Sequence, residues 1–317
     1  MRKALIVGVD YYQSVNPLNG CVRDAHEVKG VLERHADGSL NFGVKLVVAT
    51  NQASSISRRQ LKDLVQELFK DASEIAMFYF SGHGYVESSG GYLITSECSD
   101  GDEGFSMEDL LLHANESKAQ NKIIILDCCH AGAAGSPVAA AGKAFLNEGV
   151  TILTASAADQ YSLEAGGAGV FTTLLVDALN GSAANLVGDI TPGSVYAHID
   201  QSLGPWEQRP LFKTNVKRFI SLREVQPPIS LEDLKQIVSH FPDPAATYPL
   251  DPSYEPSSPS ANPANVEKFA TLQKYSHVNL VKPVDEEHMY YAAMHSTGCR
   301  LTVLGVHYWN LVSRNRI

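Results

Sequence analysis

The chain has 317 residues, 44% of them hydrophobic and 19% charged, with a formal net charge of −10 at pH 7. These proportions suit a soluble globular protein with room for two domains, and the acidity disfavours a general binder of nucleic acid or anionic membrane, leaving basic peptide segments as the better partners. No apolar stretch is long enough to span a bilayer, and Met1-Arg2-Lys3 runs straight into ALIVGVD, too short for a secretory segment. The five cysteines, Cys21, Cys98, Cys128, Cys129 and Cys299, have irregular spacing and form no CxxC pair. That pattern points to a reducing compartment, and a cytoplasmic protein is expected.

In chain order, KALIVGV (3–9) reads as a buried strand and residues 22–35 as a helix with Val22, Ala25, Val28, Val31 and Leu32 on one face. VKLVVAT (44–50) is the second strand, and residues 56–72 form a helix with Leu61, Leu64, Val65, Leu68 and Phe69 at helical spacing. EIAMFYFSG (74–82) is the third strand, followed by a hairpin-like region around Tyr92-Leu93-Ile94 and a helix near 106–115. NKIIILDCC (121–129) and VTILTAS (150–156) are further strands, GVFTTLLVDALNG (169–181) is a helix closed by Gly181, and VKRFISL (216–222) is expected as a last strand. Strands that alternate with helices imply crossover connections and a mostly parallel sheet covered on both faces. In such sheets the ligand site lies beyond the carboxyl ends of the strands. That rule puts Ser81-Gly82-His83-Gly84 and Asp127-Cys128-Cys129-His130 at one edge.

Residues 131–144 are small and read as a surface loop. Residues 242–263 hold seven prolines among Ser, Ala and Asn and read as an extended linker. The stretch 299–312 reads as an amphipathic helix.

A thiol becomes a strong nucleophile only when a neighbour takes its proton, and a histidine can do this and then protonate the leaving amine. The tetrahedral oxyanion needs donors, and backbone N–H groups in a glycine-rich turn allow close approach. His83 between two glycines, and Cys129 at a strand end before Gly132, supply these parts. The expected oxyanion donors are the N–H groups of Gly84 and Cys129. The alternative readings are a buried structural cysteine for Cys129 and a strand-end core histidine for His83. Cys128 alternates to the other side of its strand and reads as core packing; it would be the nucleophile only if the assignment slipped by one residue, and the D-x-C-x-x-G spacing favours Cys129. A zinc site from Cys98, Cys128, Cys129 and His130 has poor spacing, and no metal is assigned.

YFSGHGY (79–85) and IILDCCHAG (124–132), with His83 and Cys129 46 residues apart, resemble the caspase, metacaspase and paracaspase clan. LNGCVRDAHEV (18–28), SAADQYSLE (156–164), GVFTTLLVDAL (169–179), DITPGSVYAHI (189–199) and QRPLF (208–212) extend the resemblance to about residue 222. It implies an α/β fold: a caspase-like, mostly parallel six-stranded sheet with helices on both faces, plus a small mainly helical C-terminal module. The implied organisation is a peptidase domain over 1–225 (large-subunit-like 1–130, loop 131–148, small-subunit-like 149–225). A connecting segment over 226–263 and a C-terminal interaction module over 264–317 follow.

The nucleophile turn departs from the Q-A-C-x-G of animal caspases and is closer to metacaspases and paracaspases, which cut after Arg or Lys. Their pocket acids fall on Asp24 and Asp127, and two carboxylates in one cleft would attract a guanidinium. Asp24 reads alternatively as a solvated helix residue, and Asp127 as a turn cap. Asp159 is a third candidate acid with an equal reading as a loop residue, and Cys21 is either pocket-lining or core. The loop 131–148 matches the region between caspase subunits, which makes Lys143 a candidate for self-cleavage. Some metacaspases depend on calcium, which Asp100-Gly101-Asp102-Glu103 could bind, although these residues read first as a solvated turn. No other cofactor is expected.

The pattern C-R-L-T-x-L-G-x-x-Y-W over Cys299–Trp309 resembles small modules on bacterial caspase-like proteins. It implies recruitment to an upstream sensor or regulator, as in an inducible effector of antiphage defence. The leading reading is therefore a zymogenic or recruited endopeptidase acting on protein substrates after Arg or Lys. A catalytically silent adaptor working through its tail is the alternative, and an α/β-hydrolase is disfavoured by the absence of G-x-S-x-G.

Overall fold

A computed structural model describes the chain except residues 89, 100–103, 129–133, 135–144, 157–163, 166–167, 205–208 and 218–219. The chain divides into two units, one of residues 1–184 and 189–225 and the other of residues 185–188 and 226–317.

The first unit opens with β1 (Arg2–Val9), α1 (Cys21–Leu32), β2 (Gly43–Ala49), α2 (Arg58–Lys70) and β3 (Ile75–Ser81). A small three-stranded meander follows: β4 (Gly84–Glu87), β5 (Gly90–Leu93) and β6 (Phe105–Ser106). Then come α3 (Met107–Glu116), β7 (Asn121–Asp127), β8 (Val150–Thr154), β9 (Glu164–Ala165), β10 (Ala168–Gly169) and α4 (Val170–Asp177). The unit ends with β11 (Asp189–Ile190), α5 (Pro192–Ser202), β12 (Leu211–Asn215) and β13 (Arg223–Glu224). The main sheet has six strands in the order β12-β8-β7-β3-β1-β2. All neighbours run parallel except β12, which is antiparallel to β8.

The near-continuous apolar strands are explained by two buried faces. Leu5, Val7, Phe78, Phe80, Ile124 and Leu126 pack with Leu61, Val65 and Phe69 of α2 and Leu110 of α3. Ala4, Ile6, Met77, Tyr79, Ile123 and Ile125 face the other way, onto Ala25, Val28 and Leu32 of α1 and Phe171 and Leu175 of α4. Helix starts are set locally: Ser57 accepts from Gln60 N–H at 3.1 Å, and Ser106 accepts from Glu108 N–H at 3.2 Å. Beyond α4 the helix widens over Ala178–Ser182, and Gly181, at φ 135°, takes the backbone turn that ends it.

The last strand differs from expectation. Pairing with β8 falls on Leu211–Asn215, from Leu211 opposite Thr154 to Asn215 opposite Val150, and not on 216–222. The apolar residues of that later run serve packing: Ile220 and Leu222 join the core, and Leu222 N–H donates to Ile190 O at 2.7 Å. The true strand alternates weakly because it lies at the sheet edge, where Lys213 and Thr214 are tolerated.

The second unit contains α6 (Leu231–Lys235), α7 (Ile237–His240), a 3-10 turn at Pro252–Tyr254 and α8 (Pro263–His277). It continues with β14 (Val281–Pro283), α9 (Met289–Met294), β15 (Cys299–Leu301) and α10 (Val303–Ser313). The proline-rich stretch is not an extended linker. Leu250 is buried in one core with Leu234, Ile237, Phe241, Phe269, Leu272 and Tyr275. Its prolines punctuate: Pro252 and Pro263 open helical turns behind the caps Asp251 and Asn262. A first-turn proline loses no hydrogen bond there. The expected helix over 299–312 also splits. Cys299–Leu301 pairs with Val281–Pro283, and the helix starts at Val303 behind Thr302, which accepts from Gly305 N–H at 3.0 Å. Tyr308 is buried, and Trp309 Nε1 donates to Phe241 O at 2.7 Å, so this pair belongs to the core. Among the described residues, no helix is long and apolar enough to cross a membrane.

Candidate active site

Two strand ends and one helix build the site. α1 crosses so close to β1 that a Cβ on Gly8 would have no room against the Cys21 carbonyl. Its first N–H groups have no cap from Gly20; instead Asp10, just past β1, accepts from Cys21 N–H at 2.9 Å and from Val22 N–H at 3.4 Å. This docking turns Asp24, in the first helical turn, towards the carboxyl ends of the central strands. The β3–β7 register sets Ser81 opposite Asp127, and Gly82 N–H ties the two ends by donating to Asp127 O at 3.3 Å.

Asp24 and Asp127 are both buried, with 2% and 5% exposure, so Asp24 is not a solvated helix residue. Asp24 accepts from Gly169 N–H at 3.2 and 3.3 Å and from the Ser81 hydroxyl at 3.3 Å. Asp127 accepts from Thr172 Oγ1 at 2.7 Å, and Tyr79 Oη lies 2.6 Å from that same Oγ1. Both carboxylates converge on Gly169. A Cβ there would collide with Asp127 Oδ2 and sit 3.0 Å from Asp24 Oδ2.

Burial, and then the negative field of Asp127, push Asp24 up to about 7, while the Gly169 N–H and the Ser81 hydroxyl pull the other way. Cys21 shares this environment. Burial and the neighbouring acids Asp10, Asp127 and Asp24 drive its thiol far above the ordinary range, so it stays a protonated wall residue and not a nucleophile. Cys128 is 1% exposed and sits in the core layer with Phe80 and Leu126. Its carbonyl accepts from Ser156 Oγ at 3.1 Å.

His83 follows β3. Its N–H donates to Tyr12 Oη at 2.8 Å, and its ring lies tilted against that of Tyr12, with centroids 4.7 Å apart. Its Nε2 is 2.8 Å from Asn16 O. A carbonyl oxygen only accepts, so Nε2 carries the hydrogen and Nδ1 is left with the lone pair. Burial pushes the Tyr12 hydroxyl well up, keeping it a neutral clamp. The N–H of Gly84 is also placed for use. Ile94 N–H donates to His83 O, which makes the next facing pair, Gly84 and Leu93, a non-bonded one. The Gly84 N–H therefore points away from β5.

The structure thus gathers Asp24 and Asp127 in one buried pair and sets His83 and Gly84 at the end of the neighbouring strand. Cys129, Asp159, Lys143, His130 and the acidic run Asp100-Gly101-Asp102-Glu103 lie outside the described residues. Among the described residues, no group of three His, Cys, Asp or Glu side chains could hold a metal. Sequence reasoning missed Asp10, Tyr12, Asn16, Tyr79, Gly169 and Thr172. The run GVFTTLLVDALNG was visible as a helix closed by Gly181, but that reading gave Gly169 and Thr172 no role.

A six-stranded sheet with a reversed edge strand, carrying a histidine and buried acids at the carboxyl ends of its middle strands, defines a caspase-like α/β protein. A family model described as "Caspase domain" (Peptidase_C14) matches residues 1–220. The chain belongs to this family of cysteine peptidases.

Metacaspase-1 of Scheffersomyces stipitis is 32% identical over 136 residues, 41% of this chain and 30% of that protein. Metacaspase-1 of Meyerozyma guilliermondii is 30% identical over 133 residues, again 41% of this chain and 30% of that one. The matches thus span about 30% of the length of these curated relatives. Caspase-1 from Spodoptera frugiperda aligns with a TM-score of 0.52 at 14% identity, covering 71% of this chain and 91% of that chain. Protein GSU0716 of Geobacter sulfurreducens aligns at 0.53 and 16% identity, covering 71% of this chain and all of that one. At such identities these two likenesses concern the fold.

Proposed function

We propose that the protein is an endopeptidase that cuts polypeptides after Arg or Lys, with Cys129 as nucleophile and His83 as its proton carrier. The observation that carries this reading is the convergence of Asp24 and Asp127 at the strand ends that also bear His83. Two buried acids attract a cation, and a forked guanidinium matches paired carboxylates better than a point charge does.

In this mechanism His83 Nδ1 takes the thiol proton of Cys129, while Nε2–H stays on Asn16 O and fixes the ring. The thiolate attacks the scissile carbonyl carbon, and the oxyanion receives the N–H groups of Gly84 and Cys129. His83 returns the proton to the leaving amine. Water, deprotonated by the same imidazole, then cleaves the thioester and frees the thiol.

The test is turnover of fluorogenic peptides ending in Arg, Lys, Asp or Leu by wild type, Cys129→Ala and His83→Ala, with and without calcium. Hydrolysis after Arg, weaker after Lys and lost in both variants, is the expected result. Preference for Asp or Leu would overturn the assignment of the acid pair. Activity surviving in Cys129→Ala would overturn the nucleophile.

A further inference from the structure

The acids of the pair are held differently. Asp24 receives its bonds from Gly169 and Ser81 at 3.2–3.3 Å. Asp127 Oδ2 accepts a shorter bond from Thr172 Oγ1, at 2.7 Å, and Thr172 and Tyr79 are both fully buried. Thr172 has a single hydroxyl hydrogen. If it goes to the Asp127 carboxylate, the 2.6 Å contact with Tyr79 is a bond that Tyr79 donates. Tyr79 to Thr172 to Asp127 is then a directed chain ending on an anion, and each link polarises the next. The chain spans β3, α4 and β7, so three elements must be in place for it to form.

We propose that Thr172, itself held by Tyr79, is the positioning residue that aims Asp127 and keeps it as the anion of the pair. Asp24 then holds a proton until a basic side chain arrives. This rests on the reading of the pair as the site for Arg or Lys. When the cation enters, its charge compensates both acids and Asp24 releases its proton to solvent.

The groups facing Asp24 agree with this division. Asp127 on β7 repels a second charge, as does Glu27 on its own helix, and the Ser81 hydroxyl and the Gly169 N–H are the donors towards it. Cys21 stays a thiol and Tyr79 a phenol in this environment, since burial pushes both up. Arg23 bonds Glu27 at 2.8 Å on the exposed side of α1. The pair thus discriminates by ionisation as well as by charge, since an uncharged side chain gives Asp24 no reason to release its proton.

The experiment is a carboxyl-carbon NMR titration of the full chain labelled at aspartate, with resonances assigned through Asp24→Asn and Asp127→Asn. In wild type, the pair should titrate in two steps, the Asp127 step low and the Asp24 step near neutral. Thr172→Val should raise the lower step by about one unit, Tyr79→Phe should raise it less, and Thr172→Ser should restore it. In parallel, the acid limb of kcat/KM for an Arg-ended peptide should move up with the Asp127 step in Thr172→Val and return in Thr172→Ser. A lower step that stays in place in a folded Thr172→Val protein overturns the proposal, whatever the peptides show. Wild type that ignores basic peptides while the steps move as described would instead overturn the substrate reading and leave the role of Thr172 standing.

Discussion

At the amino ends of the central strands, opposite charges meet. Arg2 at the start of β1 donates through Nε and Nη2 to Glu74 at 3.1 and 2.9 Å, and its Nη1 donates to Asn41 at 2.8 Å. Lys122 near the start of β7 finds the Glu148 carbonyl at 2.6 Å. At the carboxyl ends of the same sheet, like charges meet: Asp24 and Asp127 share one buried space, Asp24 accepting from the Gly169 N–H and the Ser81 hydroxyl and Asp127 from the Thr172 hydroxyl. One end settles its electrostatics internally. The other gathers negative charge in a buried space, the feature on which the proposed preference for a basic side chain rests.

Substitutions can break this contrast. The largest effect is expected at His83: His83→Ala should lower kcat/KM on an Arg-ended peptide by at least about a thousandfold, leaving the fold intact because the ring is only partly buried. Gly169→Ala comes next. Its methyl would occupy the space between the two acids, so turnover after Arg should fall on the order of a hundredfold in the same peptide assay.

Asp24→Asn should act on stability with a sign set by pH. Between about pH 4 and pH 7 the folded chain retains a proton that the unfolded chain has shed, so stability falls as pH rises, and the penalty is complete above 7. Asparagine escapes that penalty but offers fewer acceptor sites to its two donors. Thermal unfolding of Asp24→Asn at pH 8 should therefore show a gain of roughly 2 kcal/mol, absent at pH 4. The smallest effect belongs to the other end of the sheet. Glu74→Gln should cost about 0.5 kcal/mol in denaturant titration and leave peptide cleavage unchanged, since this carboxylate is 43% exposed and sits at the opposite end of the sheet from the candidate site.

The contrast also explains what was legible in sequence. Strand positions followed from apolar runs because both faces are buried, His83 emerged from a strand-end motif, and Asp24 and Asp127 were picked out as a pair by the family resemblance. Thr172, Tyr79 and Gly169 did not, because their bonds join residues 45, 93 and 145 positions apart with no local pattern. Tyr79 in particular reads as one more apolar residue of β3, and its hydroxyl is meaningful only once α4 lies across it. Hydrophobicity misplaced the last strand because Leu222 is buried, and Ile220 partly so, without pairing in the main sheet. Proline content misled at 242–263 because proline both stiffens linkers and opens helices, and only packing decides which.

The cap that Asp10 places on α1 bears on the order of assembly. It closes over 11 residues, whereas the bond from Gly169 to Asp24 closes over 145. Short loops cost less entropy to close and form earlier. During synthesis the helix that carries Asp24 can therefore dock and be capped long before its donor from Gly169 has been made. The clustering of buried acids is deferred until much of the first unit exists to hold it, and a nascent chain ending before residue 169 lacks the N–H that Asp24 accepts.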